Sequence, residues 1–321
     1  MDIQQAVTEY EYATAGLTSM TKRWYTYKLK YFLSWCERYN YTLEDLTPAR
    51  IRRYLQFLRS EYKQANGKQL SDYTIHGYAQ VVKGFLSWCS QEEGLDQYVS
   101  EKAVARIELP KVEKKLIPTF TPDEIERLFM ACTKEPTPQL VVRNRAIVAV
   151  LLDTGARVSE LFVDPARSER EHTGLLLENV YLAEKDAYIK VTGKGRKERE
   201  IALGAKSRLY LHRYITRYRG RSTSSYAFLS RTGEPLTARG AQQVIYRLAE
   251  RAGVDDCHPH RFRHTFAVNY LRAGGDLYAL SRLLGHTSVN VTEVYLRSYQ
   301  SEQMRQGKRI SVVSEMTRND K

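Results

Sequence analysis

The stretch from Leu284 to Tyr295, LGHTSVNVTEVY, ends one helix and begins another within a few residues. Glycine past the last turn of a helix accepts the left-handed backbone that stops it. Gly285 is therefore expected to end the helix over DLYALSRLL, with His286 held just beyond it. Ser288 or Asn290 is the candidate cap of the next helix, which carries Tyr295. On that helix Tyr295 shares a face with Val291 and Tyr299, so packing alone would explain it. Core aromatics greatly outnumber nucleophilic ones, and the chain has 23 tyrosines. The rest of the sequence has to decide.

The chain has 321 residues, enough for one or two domains with their own cores. A hydrophobic fraction of 42% and an aromatic fraction of 11% suit a globular protein rather than a disordered one. No run of about 18 apolar residues exists, so no membrane association is expected. The start, MDIQQAVTEYEYATAG, is acidic and lacks the apolar segment of a secretory signal. Cys36, Cys89, Cys132 and Cys257 are widely spaced and form no CxxC pair, which argues against a disulfide framework or a zinc site and fits a reducing cytoplasm. Fifty Lys+Arg against 37 Asp+Glu give a net charge of +13 and a pI near 9.4. Such an excess suits a phosphate polyanion, though an ordinary solvated basic surface has the same composition.

The first hundred residues read as helices. In TSMTKRWYTYKLKYFLSWCERY, the residues Trp24, Tyr27, Tyr31, Trp35 and Tyr39 fall three or four apart and are expected to form the apolar face. TPARIRRYLQFLRSEY places Thr47 at an N-cap and Pro48 at the first helical position. SDYTIHGYAQVVKGFLSWCSQE repeats the pattern, and FLSWC occurs at both 32–36 and 85–89, as two similar core faces would require. Both cysteines in it are expected to be buried packing residues. RIELPKVEKKLIPTFTP is proline-containing, basic and without amphipathic period, so 107–119 is expected to link two domains. Thr121, Pro122 and Glu124 then open a helix with a capping box.

The second part is mostly helical around one small β element. VRNRAIVAVLLDTGARVSELF is an apolar helix broken near Gly155 and restarted. DAYIKVTGKGRKEREIAL alternates on both sides of GKGRK, the pattern of a hairpin. Four further helical patterns follow, punctuated by glycine, before a polar tail.

Several side chains here can carry chemistry. In PHRFRHTFA, His260, Arg263 and Ala267 fall on one side of a helix and Phe262, Phe266 and Tyr270 on another. A helix start with free N–H groups suits a phosphate. An H-x-x-R motif is nevertheless expected about once by chance in such a chain. Arg157 follows the Gly-Ala break in TGARVSEL; if buried it needs an anionic partner, either a phosphate or simply Glu160 three residues on. Lys194 lies between glycines at the hairpin tip, where a lysine is commonly only a solvated charge but can also enter a DNA groove. Arg196, Lys197 and Arg199 beside it are candidates for contact with a nucleic-acid backbone. A phosphate-binding P-loop is excluded, because no GxxxxGK[ST] precedes a helix here.

Each signal is weak alone, but their order is not. An arginine after a helix break, a lysine on a hairpin, H-x-x-R on a helix, L-G-H after a helix and a tyrosine nine residues later resemble the tyrosine recombinase/integrase family, most closely its Xer-like members. The likeness runs from about residue 18 to 300. It implies a mainly α fold with a small β-hairpin or sheet in the catalytic domain (α+β), in two domains that form a clamp around DNA. The expected layout is a helical core-binding domain over 1–106, a linker over 107–119, a catalytic domain over 120–300, and a tail over 301–321 that packs on a neighbouring subunit, with ISVVSEM as its apolar anchor. The implied activity is site-specific recombination of DNA through a 3′-phosphotyrosyl intermediate and a Holliday junction, with no cofactor, metal or ATP.

By the same resemblance, Tyr295 is the nucleophile, Arg157 and Arg263 clamp the non-bridging oxygens, and Lys194 protonates the leaving 5′-oxygen. His260 is an acid/base beside Tyr295, and His286 hydrogen-bonds the phosphate. The chemistry is coherent: planar guanidiniums match the charge of the transition state, and a histidine near neutrality can take a proton from a phenol. The implied partners are a double-stranded recombination site and three further copies of the chain, monomeric when free, with an accessory protein left open; the implied location is the cytoplasm, at the nucleoid. Two other readings share part of this pattern: a DNA-binding architectural or regulatory protein without chemistry, and a type IB topoisomerase-like enzyme. A segment around 164–174, VDPARSEREHTG, is about a dozen residues longer than the Xer pattern.

Overall fold

The computed structural model describes residues 2–63, 67–112, 118–165, 173–193 and 197–307. Two compact units emerge, Met1–Lys115 and Leu116–Lys321.

The first unit is helical: α1 (Ile3–Ala13), α2 (Ser19–Arg38), α3 (Pro48–Ser60), α4 (Asp72–Cys89) and the short α5 (Glu101–Ala105). Side chains that satisfy free amides start four of them: Asp2 accepts from Gln4, Thr18 from Thr21, Thr47 from Arg50 and Ser71 from Thr74. Pro48 occupies the first position of α3, as its fixed φ favours. The helix α1 was not foreseen, yet Ile3, Ala6, Val7 and Tyr10 bury one face at helical spacing. On α2 the expected aromatic stripe is only partly the core face. Of that stripe Trp35 is buried and Tyr31 half-buried, but Trp24, Tyr27 and Tyr39 are exposed, and Leu29, Phe32, Leu33 and Cys36 complete the buried face. A stripe of large amphipathic rings outweighed a parallel aliphatic one in the sequence. Both FLSWC copies do face the core, with Trp88 half-buried where Trp35 is buried. All four cysteines are buried thiols.

In the second unit the order is α6 (Pro122–Cys132), α7 (Pro138–Thr154), α8 (Val158–Leu161), β1 (Val180–Leu182), β2 (Ala187–Thr192), β3 (Glu198–Ala202), α9 (Ala205–Arg213), α10 (Ala238–Ala252), α11 (Pro259–Arg272), α12 (Leu277–Leu284) and α13 (Glu293–Gly307). Helix α7 runs through the core with Ala146, Ile147, Val148, Val150 and Leu151 buried. Its end is set by Gly155 at φ 57, where a Cβ would lie 2.5 Å from the Phe266 ring. The three strands form an antiparallel sheet in the order β1-β2-β3, with Thr192 opposite Glu198 nearest the hairpin tip. The hairpin matches its sequence pattern; β1, three residues long, is too short to show a period. Among the described residues no helix is long and apolar enough to cross a membrane.

Packing of the first unit extends to Ile107, which is buried, and to the Pro110 carbonyl, which His76 Nδ1 meets at 2.7 Å. The second unit takes hold again at Pro118. Arg261 on α11 donates to the carbonyls of Pro118, Thr119 and Asp255 and pairs with Glu124 at 2.8 Å. Its guanidinium lies 4.1 Å from the centre of the Phe120 ring, and Thr265 accepts from the Phe120 amide. The chain entering the second unit is thus tied to the helix that carries His260 and Arg263. Arg261→Ala should cost about 3–5 kcal/mol in urea unfolding, because it strands Glu124 and three carbonyls together.

His264, 2% exposed on α11, has neither ring nitrogen hydrogen-bonded among the described residues. Burial pushes its pKa from 6.5 down to about 4. The folded state therefore resists protonation that the unfolded chain accepts. Stability from this group is complete above pH 6.5 and is lost as pH falls toward 4. His264→Leu should remove about 2 kcal/mol of the stability difference between pH 7.5 and pH 5, read from urea midpoints at the two pH values.

Candidate active site

Glu160, 4% exposed, is the centre of the cluster. Arg199 donates to it with both terminal nitrogens, at 2.9 and 2.8 Å. Arg157 reaches it by its side chain at 3.0 Å and by its own amide at 2.7 Å. Burial would raise the Glu160 pKa, but the bonds and charge of Arg199, then those of Arg157, outweigh it and hold the carboxyl below its ordinary value. The carboxylate joins the α7–α8 break, strand β3 and, through the arginines, the end of α12.

That end supplies carbonyls. Arg199 Nε donates to Leu283 at 2.5 Å, Arg157 to Gly285 at 3.2 Å, and Arg263 to Leu284 at 2.7 Å. Arg263, buried on α11, also donates to the Gly155 carbonyl at 2.9 Å. Gly285 has φ 64, and a Cβ there would lie 3.1 Å from Arg199 Nη1, so its lack of a side chain admits the arginine as well as the turn. Loss of water around Arg263, then repulsion from Arg157, lowers its pKa to about 10, still well above neutrality.

His286 stands between these arginines and the tyrosine. Its Nε2 is 2.8 Å from Arg263 Nη2 and its Nδ1 is 2.7 Å from Thr292 Oγ1. Burial, followed by the charges of Arg263, Arg157 and Arg199, lowers its pKa to about 4. The Tyr295 ring lies parallel to it at 6.1 Å and 5.3 Å from His264. Tyr295 is half-buried and packs beside Tyr299 on Ala267, Leu271, Leu280 and Leu284. The packing role weighed for it is therefore real, and it coexists with contact to Arg263. Val291 is 52% exposed and takes no part.

His260 is exposed at the first turn of α11. Its pKa is lowered by desolvation, then by His258, Arg263 and Arg157. The structure thus gathers Arg157, Arg263, His286 and Tyr295, with His260 at their rim. Lys194 and Arg196 fall outside the described residues. The hairpin base beside them is closed by Gly193 donating to Lys197 at 2.9 Å, and a Cβ on Gly193 would lie 3.4 Å from Glu160 Oε1. Lys197 is exposed. Arg199 departs from its expected place on a DNA-facing surface: its side chain is 12% exposed and turned onto Glu160. Alternation along β3 puts it opposite Glu198 and Glu200, which face outward. Ser288 caps only the 3₁₀ turn Val289–Val291, and neither it nor Asn290 caps α13. Thr292 and the inward role of Arg199 were missed, since no local pattern marks either.

Three guanidiniums around one carboxylate, counted among the described residues, leave a net positive pocket beside a phenol. Such a pocket suits a phosphodiester.

The family model described as the phage integrase family matches residues 118–302. The tyrosine recombinase XerC of Staphylococcus epidermidis is 31% identical over 287 residues, 87% of each chain. The tyrosine recombinase XerD of Corynebacterium glutamicum is 30% identical over 286 residues, 87% of this chain and 88% of the other. Among solved structures, the XerH recombinase bound to palindromic difH superposes with a TM-score of 0.71 at 21% identity, covering 91% of this chain and 80% of the other. A lambda integrase dimer bound to a core site gives 0.67 at 19%, covering 92% and 95%. These two share the fold. With its motifs in family order and its sequence matched along most of its length, the chain belongs to the phage integrase family and is an Xer-like tyrosine recombinase, an enzyme of site-specific DNA strand breakage and rejoining.

Proposed function

We propose that the pocket around Arg157, Arg263, His286 and Tyr295 is where strand exchange occurs, on a double-stranded recombination site. The observation that carries this is the Arg263–His286 contact beside the Tyr295 ring, a guanidinium donor, an imidazole and a nucleophile in one place. The scissile phosphate takes the guanidiniums of Arg157 and Arg263. The Tyr295 oxygen attacks phosphorus and its proton passes to His260. The bond to the 5′-oxygen breaks, and Lys194 gives that oxygen a proton, so that it leaves as the 5′-hydroxyl. The phosphotyrosyl bond keeps the energy of the original diester, so a second 5′-hydroxyl reverses the step without ATP. The charge on the equatorial oxygens is met by guanidiniums, so the chain's own residues suffice.

Arg196 and Lys197 would hold the DNA backbone near the hairpin, and the first unit would add a second grip on the duplex. The lowered pKa of His260 suits a proton acceptor near neutral pH. Four copies would act on two duplexes, the tail of each seated on its neighbour; the setting is the cytoplasm, at the nucleoid.

Footprinting on genomic DNA identifies the site. On a nicked duplex carrying it, the wild type should become covalently linked to DNA, seen as a shifted band under denaturing conditions. Tyr295→Phe should bind as tightly and give no adduct; an adduct from this variant would remove Tyr295 from its role. Arg157→Ala should slow adduct formation by roughly 10²-fold or more, with a chelator leaving the wild-type rate unchanged.

A further inference from the structure

Thr292 is fully buried, immediately before α13. Its hydroxyl meets His286 Nδ1 at 2.7 Å, its amide donates to Val289 at 2.7 Å, and its carbonyl accepts from the Tyr295 amide at 3.0 Å. One residue therefore holds both the imidazole and the first turn that carries the tyrosine. The His286 amide, bonded to the Ser281 carbonyl at 3.0 Å, fixes the backbone from which the ring projects.

Proton positions follow from chemistry. An arginine can only donate, so His286 Nε2 must accept from Arg263 Nη2. The neutral ring then carries its proton on Nδ1 and donates it to Thr292 Oγ1. In that form Nε2 cannot donate to a phosphate. Once a phosphate draws Arg263 away, the ring is useful only if Nε2 bears the proton. A hydroxyl both accepts and donates, so Thr292 can turn and donate to a bare Nδ1. We propose that Thr292 is a positioning residue for strand cleavage: its hydroxyl holds His286 as the Nδ1–H tautomer in the free protein and, by reversing its own hydrogen bond, as the Nε2–H tautomer when a phosphate occupies the site. One proton leaves Nδ1 to solvent and one arrives at Nε2 from solvent, so the ring's charge is unchanged. The charged groups facing His286 are Arg263 on α11, Arg157 before α8 and Arg199 on β3, opposed by Glu160 on α8, with the Tyr295 phenol on α13. That positive surplus favours a neutral ring in both states. The inference rests on the proposed roles of Arg263, His286 and Tyr295.

The test joins ¹⁵N-histidine NMR to single-turnover kinetics. Free wild type should show His286 protonated on Nδ1 alone at pH 7.5. The Tyr295→Phe variant on its footprinted duplex should show Nε2–H alone. Thr292→Val should form adduct roughly tenfold or more slowly at unchanged DNA affinity, and Thr292→Ser should recover most of the rate. Nε2–H or a doubly protonated ring in the free protein overturns the proposal, as does a doubly protonated ring on DNA. A Val variant as fast as wild type, or a Ser variant as slow as Val, also overturns it. Failure of the wild type to form any adduct would strike the proposed cleavage roles instead, and the free-protein tautomer would still decide what Thr292 holds.

Discussion

The site depends on one buried carboxylate. Without Glu160, the guanidiniums of Arg157 and Arg199 would face each other and Arg263 in a poorly hydrated pocket. Like charges at such range, away from water, repel by several kcal/mol. Glu160 alone would be equally unfavourable there, since burial of an unpaired charge is costly. Together they are stable, and the carboxylate fixes where the arginines can be. It receives the Arg157 amide as well as its side chain, so the backbone at the start of α8 is fixed too. Glu160 neutralises one of the three charges and leaves the pocket positive, as a ligand phosphate requires.

A second constraint comes from helix ends. The last carbonyls of a helix lack partners within it and lie at the negative end of its dipole. Helices α7 and α12 both stop at left-handed glycines beside the pocket, and Gly155, Leu283, Leu284 and Gly285 all give carbonyls to arginines. The stops and the charges are thus one arrangement. The glycines turn the chain sharply, the turn leaves carbonyls open, and the open carbonyls hold the guanidiniums in place.

This explains what was legible in the sequence. Stops and starts are local, so Thr47, Thr121, Gly155 and Gly285 could be placed from composition and spacing, as could the hairpin around GKGRK. The Arg157–Glu160 pair was visible because its partners are three residues apart. Arg199 was misplaced because its partner is 39 residues away and its neighbours are charged, the usual pattern of a solvated edge. Thr292 hid for a different reason. Threonine before a helix ordinarily reads as a cap, and its bond to His286 depends on the tight 3₁₀ turn between them. His264 carries no local mark of burial in the sequence; its burial follows from tertiary packing of α11, including the Tyr295 ring on α13.

The same contacts that stabilise the free protein define the work of binding. Arg263 already gives its hydrogen bonds to two carbonyls and to His286. A phosphate must compete with the weakest of these. The carbonyl bonds come from helix ends that cannot move without disturbing α7 and α12, whereas the imidazole has a second partner in Thr292. Displacing His286 from Arg263 would therefore exchange a bond to a neutral acceptor for one to an anionic phosphate, in which both partners are charged. The scaffold under the guanidinium stays fixed while only the ring's hydrogen bonding changes. On the proposed reading, such a pocket would meet a diester with arginines already fixed and a histidine left to adjust.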